Sequence, residues 1–333
     1  MIISRSPVRI TLGGGGTDLP SYYSKHGGAL IAAAIDKYTF VTAHTRFDDY
    51  IKLNYSKTEQ VQDINKIKHN IFREGLKLLK IKQGIELTSL SDMPSSSGLG
   101  TSGSFTIALL NALHTYKREF VSQEKLAEEA CKIEMDILKE PIGKQDQYIA
   151  AFGGLSSLQF TKDGSVTAEP IKITEEAQDE LQNNIMLFYT GISRSASDIL
   201  REQDKKSKKN EGTTIETLHE IKKIGQKTKV ALEQGEIDKL GAYLDMHWNI
   251  KKQLSKGITN SFIDKCYELA KKNGALGGKI MGAGGGGFFM FYHNGNNNEK
   301  TKFIKAMASK DLKKMRFNFD FEGSKIILNM KNI

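Results

Sequence analysis

Cysteine occurs only twice in the 333 residues, at Cys131 and Cys266. Neither has metal-ligand spacing, and two thiols suggest no disulfide framework. A reducing cytoplasm is the expected setting. Long apolar runs are also missing. The longest covers residues 29–35, far short of the roughly 20 residues that span a bilayer. The opening Met1-Ile-Ile-Ser-Arg5 has no apolar core of signal-peptide length. Basic residues massed with aromatics are absent. Lys and Arg exceed Asp and Glu by 48 − 39 = 9, but they are scattered. The one dense run, Lys205-Lys-Ser-Lys-Lys209, reads as a solvated loop. That balance suits anionic metabolites better than nucleic acid. No glycine-rich segment runs into Gly-Lys-Ser/Thr, which excludes a Walker A loop.

Glycine, in contrast, is abundant, and much of it gathers in three loops. The middle loop organises the chain. Residues 84–90 are strand-like, and 105–116 are apolar nearly all round, as in a buried helix. Between them runs Pro94-Ser-Ser-Ser-Gly-Leu-Gly-Thr-Ser-Gly-Ser104. The chain therefore turns there from a strand into the first turn of a helix. The first helical N–H groups have no partners within the helix, and the helix dipole favours an anion in front of them. Gly98, Gly100 and Gly103 remove side chains where a ligand comes close. The loop reads as a phosphate cradle. The plainer alternative is a polar loop capped by Ser or Thr. The spacing of these glycines also fits G-x-G-x-x-G, but the loop comes too late for a first βα unit.

The other loops have their own settings. A strand over 2–12 enters Gly13-Gly-Gly-Gly-Thr-Asp18. Four glycines in a row are costly in chain entropy, so they mark either close backbone approach or a flexible turn. Asp18 is either a cap for 19–25 or a carboxylate at a site. Residues 37–45 and 51–55 read as strands. Ile64, Ile67, Ile71, Phe72, Leu76 and Leu79 give one amphipathic helix. Another helix covers 122–138, with Ser122 as its cap and Glu134 near the edge of its apolar stripe. Pro141 and Gly143 break it, and Gln145-Asp-Gln147 starts the next, so Asp146 could be simply a cap. Strands follow at 156–160 and 185–189, with a polar stretch between them. A chain of this length calls for two domains, here 1–170 and 171–333. The second half has helices at 213–234, 236–254, 260–273 and 300–308. Its glycine loop, Gly282-Ala-Gly-Gly-Gly-Gly287, leads into a strand. Met315, Phe317, Phe319 and Phe321 alternate with polar residues, as in a half-buried strand. The second domain should be α+β.

Pro7-x-Arg9 with Gly13-Gly-Gly-Gly-Thr-Asp18, then the loop from Pro94, then Gly282 to Gly287 reproduces the motif order of the GHMP kinases, which the chain resembles over nearly its whole length. Ala34-Ile-Asp-Lys-Tyr38, Gly143-Lys-Gln-Asp-Gln147 and Gly191-Ile-Ser-Arg-Ser-Ala-Ser197 narrow the likeness to the D-glycero-D-manno-heptose 7-phosphate kinases of that family. The resemblance implies a two-domain α+β fold: an N-terminal ribosomal protein S5 domain 2-like half, a C-terminal ferredoxin-like half and a site between them. It also implies an ATP- and Mg²⁺-dependent transfer to the anomeric hydroxyl of a sugar phosphate. Neither nucleic acid nor membrane is expected as a partner, and a homodimer stays open.

The roles implied are these. Pro94, Ser95, Ser96, Ser97, Gly98, Leu99, Gly100, Thr101, Ser102 and Gly103 wrap the ATP phosphates. Ser102, or else Thr101, holds Mg²⁺ with Glu134, which lies 146 − 134 = 12 residues before Asp146. Asp146 orients or deprotonates the attacking hydroxyl, and Arg9 steadies the transferring charge. Gly15, Gly16, Thr17 and Asp18 face the sugar; galactokinase has Glu-His where Gly15-Gly16 stands, which argues against galactose. Lys144 and Arg194 are candidates for the sugar's own phosphate, and Gly284 and Gly285 belong to the third loop at the ligand. Two other readings stay open: a fucokinase-like anomeric kinase, and a non-catalytic sugar- and ATP-binding regulator.

Overall fold

A computed structural model describes residues 1–192, 196–209, 212–255 and 257–330. The first half runs β1 (Ile2–Gly13), α1 (Pro20–His26), β2 (Gly28–Thr45), β3 (Ile51–Asn54), β4 (Thr58–Val61), α2 (Asn70–Leu78), β5 (Ile85–Ser91), α3 (Thr101–Lys117), α4 (Gln123–Cys131), α5 (Gln145–Phe152), β6 (Leu155–Phe160) and β7 (Val166–Pro170). The second runs α6 (Glu175–Asn184), β8 (Ile185–Tyr189), α7 (Ala196–Lys208), α8 (Gly212–Glu233), α9 (Lys239–Lys251), α10 (Ser261–Lys272), β9 (Gly277–Ile280), β10 (Phe288–Tyr292), α11 (Asn297–Ala308), β11 (Lys313–Met315) and β12 (Lys325–Asn329).

Two sheets share one core. The larger has the order β12-β1-β2-β5-β3-β4, with β6 also on β2 and β7 on β6. The smaller is the antiparallel β11-β8-β10-β9. The long apolar run lies in β2, and its alternation explains why it has no polar face. Leu30, Ala32 and Ala34 pack with Ile107, Leu110 and Ile149 of the helices. Ile31, Ala33 and Ile35 pack with Leu187, Leu244 and Met290 of the second half. A strand buried on both faces reads as continuous hydrophobics. The smaller sheet does the same: Leu187 and Met290 join that shared core, whereas Phe188, Phe289 and Phe291 face Phe303 and Cys266. Helix α3 is apolar nearly all round because Ile107 and Leu110 meet one cluster and Leu109 and Leu113 another, with Phe72 and Leu76.

Several expected elements differ. The helix over 64–79 is broken: a 3₁₀ turn at Ile64–Lys66 precedes α2, and Asp63 and His69 cap the two pieces. The helix over 122–138 keeps its Ser122 cap but widens into a π-helical turn at Lys132–Ile137. Met315 ends β11, but residues 316–321 are not a strand. Phe317 and Phe319 pack on the shared core, but only Phe319 forms a bridge, to Ile35, because the segment crosses from the smaller sheet back to the larger. Lys205 to Lys208 lie in the last turn of α7 rather than in a loop, with Lys206 and Lys208 paired to Glu202 and Asp204 one turn earlier. The final strand β12 returns to β1. Both cysteines are free and buried. Among the described residues, no helix is long and apolar enough to cross a membrane.

Candidate active site

The glycine loops and α5 meet at a cavity of about 500 Å³ lined from both halves of the chain. Strand β1 supplies Arg9 and Thr11, the first loop Gly15, Gly16 and Asp18, and the middle loop Ser96, Gly98, Gly100, Thr101 and Ser102. Helix α9 and strand β9 close the other side with His247, Lys251 and Lys279.

The middle loop is shaped by its backbone. Gly100, at φ +79°, precedes the first residue of α3, and Gly98 has φ +80°. Such angles favour glycine. Space demands it as well. A Cβ on Gly98 would stand 2.7 Å from the Met281 carbonyl, and one on Gly287 would stand 2.3 Å from the Ser97 carbonyl. The third glycine loop is thus a backing for the middle one. Leu99 points into the core, while its carbonyl accepts from the Arg9 amide at 2.9 Å. The N-terminus of α3, with its unpaired N–H groups, opens beside Thr101 and Ser102.

Arg9 is 4% exposed. Its Nε donates to Oδ1 of Asp146 at 2.8 Å, Nη2 lies 2.6 Å from the same oxygen, and Nη1 donates to the Gly98 carbonyl at 2.6 Å. One guanidinium therefore ties the middle loop to the first turn of α5. Oδ2 of Asp146 has no partner among the described residues. Gly103 and Gly100 sit where a Cβ would come within 2.7 and 3.0 Å of Asp146. Asp18 accepts from the amides of Gly16 (3.1 Å) and Gln145 (3.3 Å). Burial, and then the charge of Asp146, push its carboxyl above the usual range. Gly143 is needed for this contact, because a Cβ there would overlap Oδ2 of Asp18 at 1.9 Å.

Glu134 sits in the π-helical turn, a distortion often found at functional positions. It is 1% exposed, accepts from the Ser102 hydroxyl, and accepts from Nε2 of Gln147 at 2.7 Å. Burial raises its pKa to about 7. It has no cationic partner among the described residues. A buried carboxylate of this kind is costly unless a cation offsets it. Carboxylate and hydroxyl oxygens are hard donors suited to Mg²⁺, which takes few protein ligands and keeps phosphate oxygens and water. The described residues hold no cluster of three His, Cys, Asp or Glu that could bind a metal by itself.

Not every expected residue faces the cavity. Thr17 is fully buried and accepts and donates within the turn, tying Gly14 and Ala29 together. Lys144, one residue before α5, points away: its Nζ donates to the Gly164 carbonyl at 2.5 Å and lies over the Tyr23 ring. Gly282 lines the cavity, but Gly284 and Gly285 back onto Ile258 instead. Pro94 and Ser95 are exposed beside the loop. Arg194 lies outside the described residues. Sequence reasoning missed His247, Lys251 and Gln203, which line the cavity from helices without any local motif, and gave no role to Lys279, within the glycine-rich stretch Gly274–Gly287. It also missed His69 and Asn70, brought there by the break before α2.

Comparison with known proteins agrees with this architecture. Residues 64–154 match the GHMP kinases N terminal domain, and 228–310 match the GHMP kinases C terminal domain. A protein of Campylobacter jejuni named D-glycero-alpha-D-manno-heptose 7-phosphate kinase is 32% identical over 336 residues, covering 97% of this chain and 98% of its own. A crystal structure of a putative sugar kinase from Campylobacter jejuni superposes with a TM-score of 0.77 at 29% identity, covering 98% of this chain and 97% of its own. A D-glycero-D-manno-heptose 1-phosphate kinase from Bacteroides thetaiotaomicron shares the fold, with a TM-score of 0.82 at 24% identity over 99% of this chain and 100% of its own. With its glycine loops, paired Arg9 and Asp146 and both family domains in place, the chain belongs to the GHMP kinases and is an ATP-dependent carbohydrate kinase.

Proposed function

We propose that the enzyme transfers the γ-phosphoryl group of ATP to the anomeric hydroxyl of D-glycero-D-manno-heptose 7-phosphate, giving the 1,7-bisphosphate for nucleotide-activated heptose. The observation that carries the substrate is the near full-length likeness to the Campylobacter jejuni heptose 7-phosphate kinase.

The residues can divide the work as follows. The amides at the start of α3 and the loop hydroxyls hold the donor phosphates. Asp146, fixed through Oδ1 by Arg9, offers its unpartnered Oδ2 to the anomeric hydroxyl. That hydroxyl is more acidic than an ordinary alcohol, so a carboxylate is an adequate base. The bond from the anomeric oxygen to phosphorus forms, the bond from phosphorus to the ADP oxygen breaks, and the proton passes to Asp146. Arg9 lies where negative charge builds on the moving group. Asp18, held by the Gly16 and Gln145 amides, positions sugar hydroxyls. Ser102 and Glu134 would hold Mg²⁺, which when bound neutralises charge on the phosphate oxygens. The cytoplasm, with its ATP, is the fitting compartment.

The test is ADP release with Mg-ATP and the heptose 7-phosphate, followed by phosphorus NMR of the product. A new anomeric phosphate is expected. Turnover of a free hexose such as fucose, with none of the heptose phosphate, would overturn the substrate and keep the reaction.

A further inference from the structure

The side of the cavity formed by the second half is basic, and among the described residues its lysines have no acidic partner. Lys279, on β9, is 2% exposed. Among the described residues, the sole polar partner of its Nζ is Nδ1 of His247, at 3.4 Å. His247 is 1% exposed, and burial pushes its pKa well below the usual value, so the ring is neutral at physiological pH. When Lys279 is protonated, Nδ1 accepts from it and the ring proton belongs on Nε2, which has no partner among the described residues. Lys251, one turn after His247 on α9, donates to the Gly282 carbonyl at 2.5 Å. Part of its surface is accessible, and that fits a side chain lining a cavity deep in the protein. Neither lysine has a carboxylate within ion-pair distance among the described residues.

We infer that Lys251, Lys279 and the Nε2–H of His247 form the seat for the phosphate that the sugar already carries. The inference rests on the proposed sugar phosphate substrate and names the residues that recognise it. Two buried like charges are costly unless an anion offsets both. Burial lowers the Lys251 pKa to about 8, with the nearby Arg9 adding to the effect and Asp18 opposing it. A phosphate dianion supplies the missing charge and accepts from all three donors. A neutral sugar leaves the lysines uncompensated, so the site selects against it. The donor nucleotide has its own provision in the start of α3 and in Arg9, which adjoin Lys251 through the contact of Gly282 with Gly98. Lys251 lines the same cavity as Arg9 and Asp18.

The experiment uses Lys251→Met and Lys279→Met, which keep the apolar stems, with melting temperature as a check on folding. The KM for heptose 7-phosphate should rise roughly 30-fold in each, as expected when a charge-assisted bond is lost. The KM for ATP should stay within about twofold. A rise confined to ATP would overturn the inference and give the lysines to the transferred phosphoryl group. A second measurement separates the inference from the substrate proposal. Without nucleotide, mannose 6-phosphate should raise the melting temperature of the wild type more than mannose does, and Lys251→Met should abolish the difference. That result would uphold the phosphate seat even if heptose 7-phosphate were not turned over. Equal protection by the two sugars in the wild type would overturn it.

Discussion

The two walls of the cavity are built on opposite electrostatic plans. On the wall from the first half, each charged group is held by several bonds: Arg9 pairs with Asp146, backbone amides hold Asp18, and Ser102 and Gln147 hold Glu134, which still lacks a cation among the described residues. On the wall from the second half, Lys251 and Lys279 have, among the described residues, only a carbonyl and a neutral ring. Pairing fixes geometry in advance, which is what transfer chemistry needs. Unmatched charge stores a cost that a ligand of the right charge removes, which is what selection needs. On the proposed reading, one wall serves the reaction and the other the acceptor.

The comparison can be broken most severely at Asp146. Asp146→Asn keeps the size of the side chain but removes the base and the Arg9 ion pair. We expect kcat to fall about 10³-fold, with ATP binding retained in calorimetry; near-normal turnover would remove Asp146 from the chemistry. Glu134→Gln tests whether the buried carboxylate awaits a cation. The Mg²⁺ concentration giving half-maximal activity should rise at least about tenfold, and an unchanged requirement would leave Glu134 a structural acid held by Ser102 and Gln147.

The smallest effect sharpens the contrast through pH. Lys251 titrates at about 8 in the folded chain against an ordinary 10.5. Between those values the unfolded chain holds the extra proton, so unliganded stability rises with pH from about 8 to about 10. Lys251→Met should shrink that rise in denaturant melts. Some rise should persist, because Lys279, whose pKa is also lowered by burial and by Lys251 and Arg9, contributes in the same direction. An identical slope in the variant would mean that Lys251 is not held against its charge.

Much of the first wall was legible because its signals are local. The loop from Pro94 to Gly103 carries its own glycines and hydroxyls, and Asp146 follows a helix break marked by Pro141 and Gly143. Even there, reading neighbours as a unit misled. Lys144 directly precedes the helix with Asp146, yet its side chain leaves the cavity for Gly164, while Thr17 serves the turn beside Asp18. Gly143 stood out as a helix breaker, but its tighter constraint is the Asp18 carboxylate pressed against it. The alternation signalled burial correctly from Met315 to Phe319 but not at Phe321, which is exposed, and of these residues only Met315 lies in a strand. Half-buried alternation needs a partner edge to become a ladder, and this segment spends its length crossing between sheets.

By itself, the sequence determined the order of strands and helices around the three glycine loops, the family, and the chemical kinds of group at the reacting centre. These follow from short-range patterns of glycine, hydroxyl and charge. Only the tertiary structure decided that Lys251, Lys279 and His247 share a cavity with Arg9. A lysine inside a helical or strand pattern looks like any solvated surface charge. What distinguishes these two is that the sheets close over them, and closure depends on the packing of β1 and β2 against β8, β10 and α9, contacts far apart in sequence.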